Sequence, residues 1–153
     1  MPGPRGFSAA KINQDRGVVC WPFNGSYNQA LLCVFDGHGS KGERASEFCM
    51  KSVPELLEKD GPSLKADPPA ALAKAFVQTD TLLLSDAELG RTAMTCGTTA
   101  TALYFHADDV YIACAGDSRA VKGMRRGGVC VAEDLSMDHK PDLPEERLSL
   151  IHI

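Results

Sequence analysis

The stretch ALLCVFDGHGSKG, residues 30–42, poses the fold problem. Its first six residues are apolar without alternation, the pattern of a strand covered on both faces and therefore central in a sheet. The run ends at Asp36, and three glycines, Gly37, Gly39 and Gly42, then surround His38. Beyond them the period changes. Residues 40–59 place Ala45, Phe48, Cys49, Val53, Leu56 and Leu57 on one helical stripe with charges opposite, so the glycine loop joins a strand to an amphipathic helix. Pro54 could bend that helix.

Upstream, residues 1–16 are irregular, GVVCW (17–21) reads as a short strand, and FNGS (23–26) supplies an Asn-Gly turn. Downstream, the linker DGPSLKADPP (60–69) leads to a second helical segment over 70–89. There Leu72, Phe76, Leu82 and Leu83 form the stripe, with Asp67 and two prolines as the start signal. From residue 98 the pattern becomes strands: TTATALYFH (98–106), VYIACAG (110–116), SRAVKG (118–123) and VCVAED (129–134). The connections leave no room for crossover helices, so these strands should be antiparallel neighbours. The order of strands, two helices and then a strand meander predicts an α+β fold with helices outside antiparallel sheet.

A chain of 153 residues is sized for one domain with a sizeable core. Its 44% hydrophobic and 24% charged residues are ordinary for a globular protein. The net charge of -4, with one small basic cluster at residues 122–126, offers no footprint for a nucleic acid backbone. No segment reaches the ~20 apolar residues of a membrane span, and the N-terminus lacks a signal-peptide core. A cytoplasmic or nuclear location without membrane contact is the expectation. The six cysteines, at 20, 33, 49, 96, 114 and 130, include no CxxC pair and fall mostly within apolar patterns, so they read as buried thiols.

Three chemistries compete for the loop. Gly37, Gly39 and Gly42 match the GxGxxG spacing of a dinucleotide fingerprint. Asp36 would repel the pyrophosphate, however, and a second helix follows where a parallel strand is required. The loop could also be a plain turn with a surface histidine. In the third reading Asp36, held at a strand end, bridges two divalent cations. Two such ions ~3.5–4 Å apart lower the pKa of a shared water and generate a nucleophile near neutral pH. Oxygen ligands imply Mg²⁺ or Mn²⁺, and His38 would give a proton to a departing oxygen. Asp117, in AGDSRA, and Asp15, in INQD, also sit at strand ends. Three acids could therefore meet at one sheet edge, where a cation would cancel their repulsion. Arg119 is expected to pair with Asp117 or a neighbouring acid, His139 to anchor a loop, and His106 to lie at the surface. Cys96 has no base near it in sequence and is not read as a nucleophile.

Taken together, KINQD (11–15), VFDGHG (34–39), CGTTA (96–100), CAGDSRAV (114–121) and DHKP (138–141) resemble the metal-dependent serine/threonine protein phosphatases of the PP2C type. The resemblance covers about residues 6–147, the first half or slightly more of that catalytic domain. It implies a PP2C-like α/β/β/α sandwich, two antiparallel sheets flanked by helices, with the C-terminal part missing. It implies at least two Mg²⁺ or Mn²⁺ ions, direct attack of the bridging hydroxide on phosphorus without a phosphoenzyme, and phosphorylated proteins as substrates. By position, Asp36 resembles the acid bridging both metals, and the Gly37 carbonyl resembles a ligand of one. Asp15 resembles an acid acting through metal-bound water, Asp117 one helping to hold a third metal, and His38 the acid that protonates the leaving serine or threonine oxygen. Ala10 stands at one common position of the phosphate-binding Arg or Lys, which makes Lys11 the near candidate for substrate phosphate. Cys96 stands where the family often has serine.

Family members continue beyond DHKP to further strands whose ends supply essential metal aspartates. Here LSLIHI (148–153) departs from the pattern and can be read from a transposon-based sequencing adapter, CTGTCTCTTATACACATC. The expectation is a partial phosphatase domain over 1–147, a non-native tail over 148–153, and little or no activity in these residues alone. The alternative is a non-catalytic regulatory or binding protein on the same scaffold.

Overall fold

The structure, a computed structural model, describes residues 12–144 and residue 146. Strand β1, Asp15–Cys20, runs antiparallel to β2, Gln29–His38, from Asp15 opposite Asp36 to Cys20 opposite Leu31. Between them Asn24 and Gly25 take φ of 49° and 69°. That double left-handed turn lets Phe23 and Ser26 exchange backbone hydrogen bonds of 3.3 and 3.0 Å, as expected of Asn-Gly.

Helix α1, Gly42–Lys59, buries Ala45, Cys49, Val53 and Leu57 at four-residue intervals, and Pro54 is accommodated within it. A short helix α2, Gly61–Ala66, forms inside the linker and buries Leu64. Helix α3, Pro68–Ser85, starts where Asp67 caps it, its carboxylate accepting from Ala70 N–H at 3.2 Å ahead of two prolines in the first turn. Its buried stripe is Leu72, Ala75, Thr79 and Leu83; Leu82, expected inside, is 45% exposed. The helix ends four residues earlier than its apolar pattern suggests. The Asp86 carboxylate accepts from the N–H groups of Glu88 (2.9 Å) and Leu89 (2.8 Å), a local alternative to helical bonding. A single turn, α4, Gly90–Ala93, follows.

Strand β3, Gly97–Thr98, pairs with the end of β2 at Gly37 and His38. Strand β4, Ala100–His106, lies on the free side of β2, and β5, Asp109–Ala115, lies beside β4. All pairings are antiparallel, in the order β1-β2-β4-β5. SRAVKG, expected as a further neighbour of β5, does not pair with it. β6, Val121–Arg126, and β7, Val129–Asp134, form a separate two-stranded antiparallel sheet turned by Gly127 and Gly128, both at positive φ.

The architecture is thus two antiparallel sheets with helices. The main core lies between the larger sheet and the helices, where Phe23, Leu31, Phe35, Val53, Leu57, Leu72 and Tyr104 are each 1% exposed or less. Burying such a side chain contributes roughly 1.5–3 kcal/mol. β2 is central, but among the described residues it is covered on one face. Leu31, Cys33 and Phe35 point to the helices, while Val34 is 55% exposed on the other side.

Candidate functional site

The period of two in β2 assigns the loop chemistry to a face. Leu31, Cys33, Phe35 and Gly37 are buried, whereas Val34, Asp36 and His38 are exposed. Asp36 and His38 therefore share the side of the sheet away from the helices. Asp15 is the register partner of Asp36 and joins them there. Partial desolvation raises the Asp36 carboxyl above its ordinary value, and the charge and hydrogen bonding of Asp15 and the charge of Asp117 push the same way; His38 opposes them. A hollow of about 210 Å³ adjoins the pair, lined by Ile12, Asn13, Gln14, Asp15, Asp36 and Gly37.

Backbone contacts fix this end of β2. Asp36 N–H donates to Thr99 Oγ1 at 3.0 Å, and Thr99 N–H returns a bond to Asp36 O at 2.9 Å. Thr99 Oγ1 also bonds Ser118 Oγ at 2.7 Å, linking the strand end to the loop that carries Asp117. Gly37 N–H donates to Gln14 O at 3.2 Å. A Cβ on Gly37 would stand 2.6 Å from Gln14 O and closer still to Gly42 O, so only glycine admits this approach of three backbone segments. The His38 ring rests over Gly97, where a Cβ would lie 2.7 Å from Nε2.

The later motifs are clamped together. Arg119 donates to Asp138 through Nε and Nη2, both at 2.7 Å, and to Asp134 through Nη1 at 3.1 Å. The bidentate contact with Arg119, helped by Lys140 at 3.0 Å, holds Asp138 well below the usual carboxylate range. Arg119 thus pairs with neighbouring acids rather than with Asp117. His139 N–H donates to Gly116 O at 2.9 Å, anchoring the DHKP loop against the GDSR loop. His106 is half-buried and stacks on Tyr104 at a 6.1 Å centroid distance, more enclosed than a surface residue.

Cys96 is buried, and its Sγ accepts from Lys41 N–H at 3.2 Å and lies 3.5 Å from Ser40 Oγ. These bonds, the Ser40 hydroxyl first, lower its thiol pKa, and they brace the chain just after His38. Burial pushes Cys33 up to about 12 and Cys49 up to about 11.

Of the residues singled out in the sequence, Asp15, Asp36 and Gly37 are therefore brought together, with His38 on the same face. Asp117 is near enough for its charge to act on Asp36. Among the described residues, however, no group of three or more His, Cys, Asp or Glu is arranged to hold a metal ion. Lys11 lies outside the described residues. The Asp15–Asp36 pair fits a hard divalent cation as part of a ligand set: both donors are carboxylate oxygens, and a cation would relieve the repulsion that adds to desolvation in raising Asp36. Gln14, Ser46 and Thr99 escaped the sequence reading. Gln14 and Thr99 lie inside quoted motifs, but nothing in the sequence distinguishes Ser46 from any other helical serine.

The protein phosphatase 2C family model matches residues 3–148. The chain is 37% identical over 139 residues to the probable protein phosphatase 2C 35 of Arabidopsis thaliana, covering 91% of this chain and 39% of that protein. It is 38% identical over 142 residues to the probable protein phosphatase 2C 64 of Oryza sativa subsp. japonica, covering 88% of this chain and 33% of the relative. The crystal structure of serine-threonine phosphatase 2C from Toxoplasma gondii shares the fold, with a TM-score of 0.76 at 24% identity over 93% of this chain and 50% of that one. The chain thus spans between a third and two fifths of the length of these two curated relatives.

Proposed function

The chain belongs to the protein phosphatase 2C family, and from that premise we propose that the Asp15–Asp36 end of the sheet is part of a divalent-metal centre for hydrolysing phosphoserine and phosphothreonine in proteins. The observation that carries the reading is the carboxylate pair itself. Asp15 and Asp36 stand opposite each other on an exposed sheet face, and the Asp36 carboxyl is raised partly by its partner's charge. Left alone, such a pair would repel a phosphate group.

Two Mg²⁺ or Mn²⁺ ions held there would cancel that charge, attract the phosphoryl oxygens and activate a water as nucleophile. Asp36 would be the principal acid holding the metal and Asp15 the supporting acid. Gly37, next to Asp36, would offer its backbone carbonyl as a further oxygen ligand. Asp117 acts at longer range through its charge. His38, two residues beyond Asp36 on the same face, protonates the departing serine or threonine oxygen as the P–O bond breaks, so the alcohol leaves neutral. Attack by water gives inorganic phosphate directly, with no phosphoenzyme. Lys11 is the candidate for holding the substrate phosphate.

The test is a chimera joining residues 1–147, Lys11 included, to the remaining catalytic segment of the Arabidopsis relative. It should release phosphate from a phosphothreonine peptide only with Mn²⁺ or Mg²⁺, and Asp36→Ala should abolish the release. A folded chimera that binds Mn²⁺ without hydrolysing the peptide would favour a non-catalytic regulatory role on this scaffold. The 153-residue chain alone is expected to release little or no phosphate, because the two carboxylates of Asp15 and Asp36 would have to be shared between two dications.

A further inference from the structure

We infer that Gln14 is a positioning residue that sets Asp15 against Asp36 and holds the loop carrying His38. Its significance for the site rests on the metal-centre reading above, but its geometry can be tested without metal. Gln14 immediately precedes Asp15 and reaches both sides of His38. Its carbonyl accepts from Gly37 N–H at 3.2 Å, and its side-chain Nε2 donates to Gly39 O at 2.8 Å. The same Nε2 lies 3.2 Å from Glu43 Oε2, in the first turn of α1. From the other direction Ser46, fully buried on α1, donates its hydroxyl to Gln14 O at 2.6 Å.

One residue therefore ties three pieces of chain together: the segment entering β1, the loop leaving β2 and the start of α1. The arrangement is directional. The side-chain amide is the donor to Gly39 O, and the backbone carbonyl is the acceptor for both Gly37 and Ser46. Gly37 already lies so close to Gln14 that a Cβ on it would stand 2.6 Å from Gln14 O. It can move away only by breaking its bond to Gln14 O, which would shift Asp36 and His38 relative to Asp15.

Methionine at position 14 keeps the length of glutamine and removes its donor. Alanine at position 46 removes the buried hydroxyl without adding bulk. Neither change touches Asp15, Asp36 or His38. Amide hydrogen exchange and the His38 ring proton resonance should be recorded on the full chain in EDTA for wild type, Gln14→Met and Ser46→Ala. Both variants keep the Gly37 bond to Gln14 O but loosen its support, and should speed exchange of the Gly37 amide by about 3- to 10-fold, the scale of an ordinary hydrogen bond, and shift or broaden the His38 resonance. Exchange along β4 and β5 should stay as in wild type.

Unchanged Gly37 exchange and an unmoved His38 resonance in both variants would overturn the inference. So would equal acceleration across β4 and β5, which would mean a general loss of stability rather than positioning. Because no metal is present, neither result bears on whether the pair binds a cation. Failure of Mn²⁺ binding in wild type would count against the metal-centre reading alone.

Discussion

Asp15 and Asp36 face each other as register partners at the end of the β1–β2 hairpin, two carboxylates on one exposed sheet face. Directly opposed like charges cost stability in a sheet. In EDTA at neutral pH, Asp36→Asn should therefore make the chain more stable than wild type, by about 0.2–1 kcal/mol on the scale of cross-strand pairs. Urea unfolding measures it. Because folding raises the Asp36 pKa above its usual 3.8, its favourable contribution is fully present below that value and fades as pH rises through the folded value. The stabilisation by Asn should accordingly grow from acid to neutral pH, and saturating Mn²⁺ should reverse the order of wild type and variant.

Asp138 works with the opposite sign. Arg119 and Lys140 lower its pKa in the folded chain from the usual 3.8. Its stabilisation is present above that value and is lost as pH falls through the lowered folded value. Asp138→Asn should destabilise the chain at neutral pH and flatten part of the acid limb of the stability curve. An unchanged acid limb would mean that the Arg119 clamp contributes nothing measurable in solution.

Gly37→Ala should cost about 1–3 kcal/mol or more, because the new methyl would meet the carbonyls of Gln14 and Gly42, which are backbone and cannot rotate away. Gly25→Ala is a useful contrast. No atom lies within 4 Å of a Cβ there, so its cost of about 1–2 kcal/mol would come from the left-handed backbone alone. Denaturant titration of the two variants separates crowding from backbone strain.

Thiol alkylation of the native chain should begin at Cys130, which is exposed, and end at Cys33 and Cys49, which are buried with thiols pushed up to about 12 and 11. Peptide mapping over a time course reports the order. Early modification of Cys33 would mean that the core beneath β2 opens readily.

Much of this arrangement is legible in the sequence because period and punctuation agree. Residues 30–36 announce a central strand, Asn24-Gly25 a hairpin turn, and Asp67 with its prolines a helix start, and each appears in the structure. What the sequence hides is competition between neighbouring groups. Asp86 captures two amides and ends α3 early, although the apolar pattern runs on. Arg119 reaches Asp138 across 19 residues of sequence, and β6 pairs with β7 in a sheet of its own rather than with β5. The continuous apolar run in β2 says nothing about which face is covered; the helices decide that by packing on Leu31, Cys33 and Phe35. Asp15 and Asp36 were nameable from their motifs, but their pairing depends on hairpin register, where a slip of one residue would place them on opposite faces.

The most direct measurement is a Mn²⁺ titration of the isotopically labelled chain, followed by paramagnetic broadening of backbone amides. Broadening should be confined first to residues flanking Asp15 and Asp36, should be competed by Mg²⁺, and should disappear in Asp36→Asn. Broadening spread evenly over surface acids, or a local pattern that survives Asp36→Asn, would mean that the carboxylate pair is not a metal site.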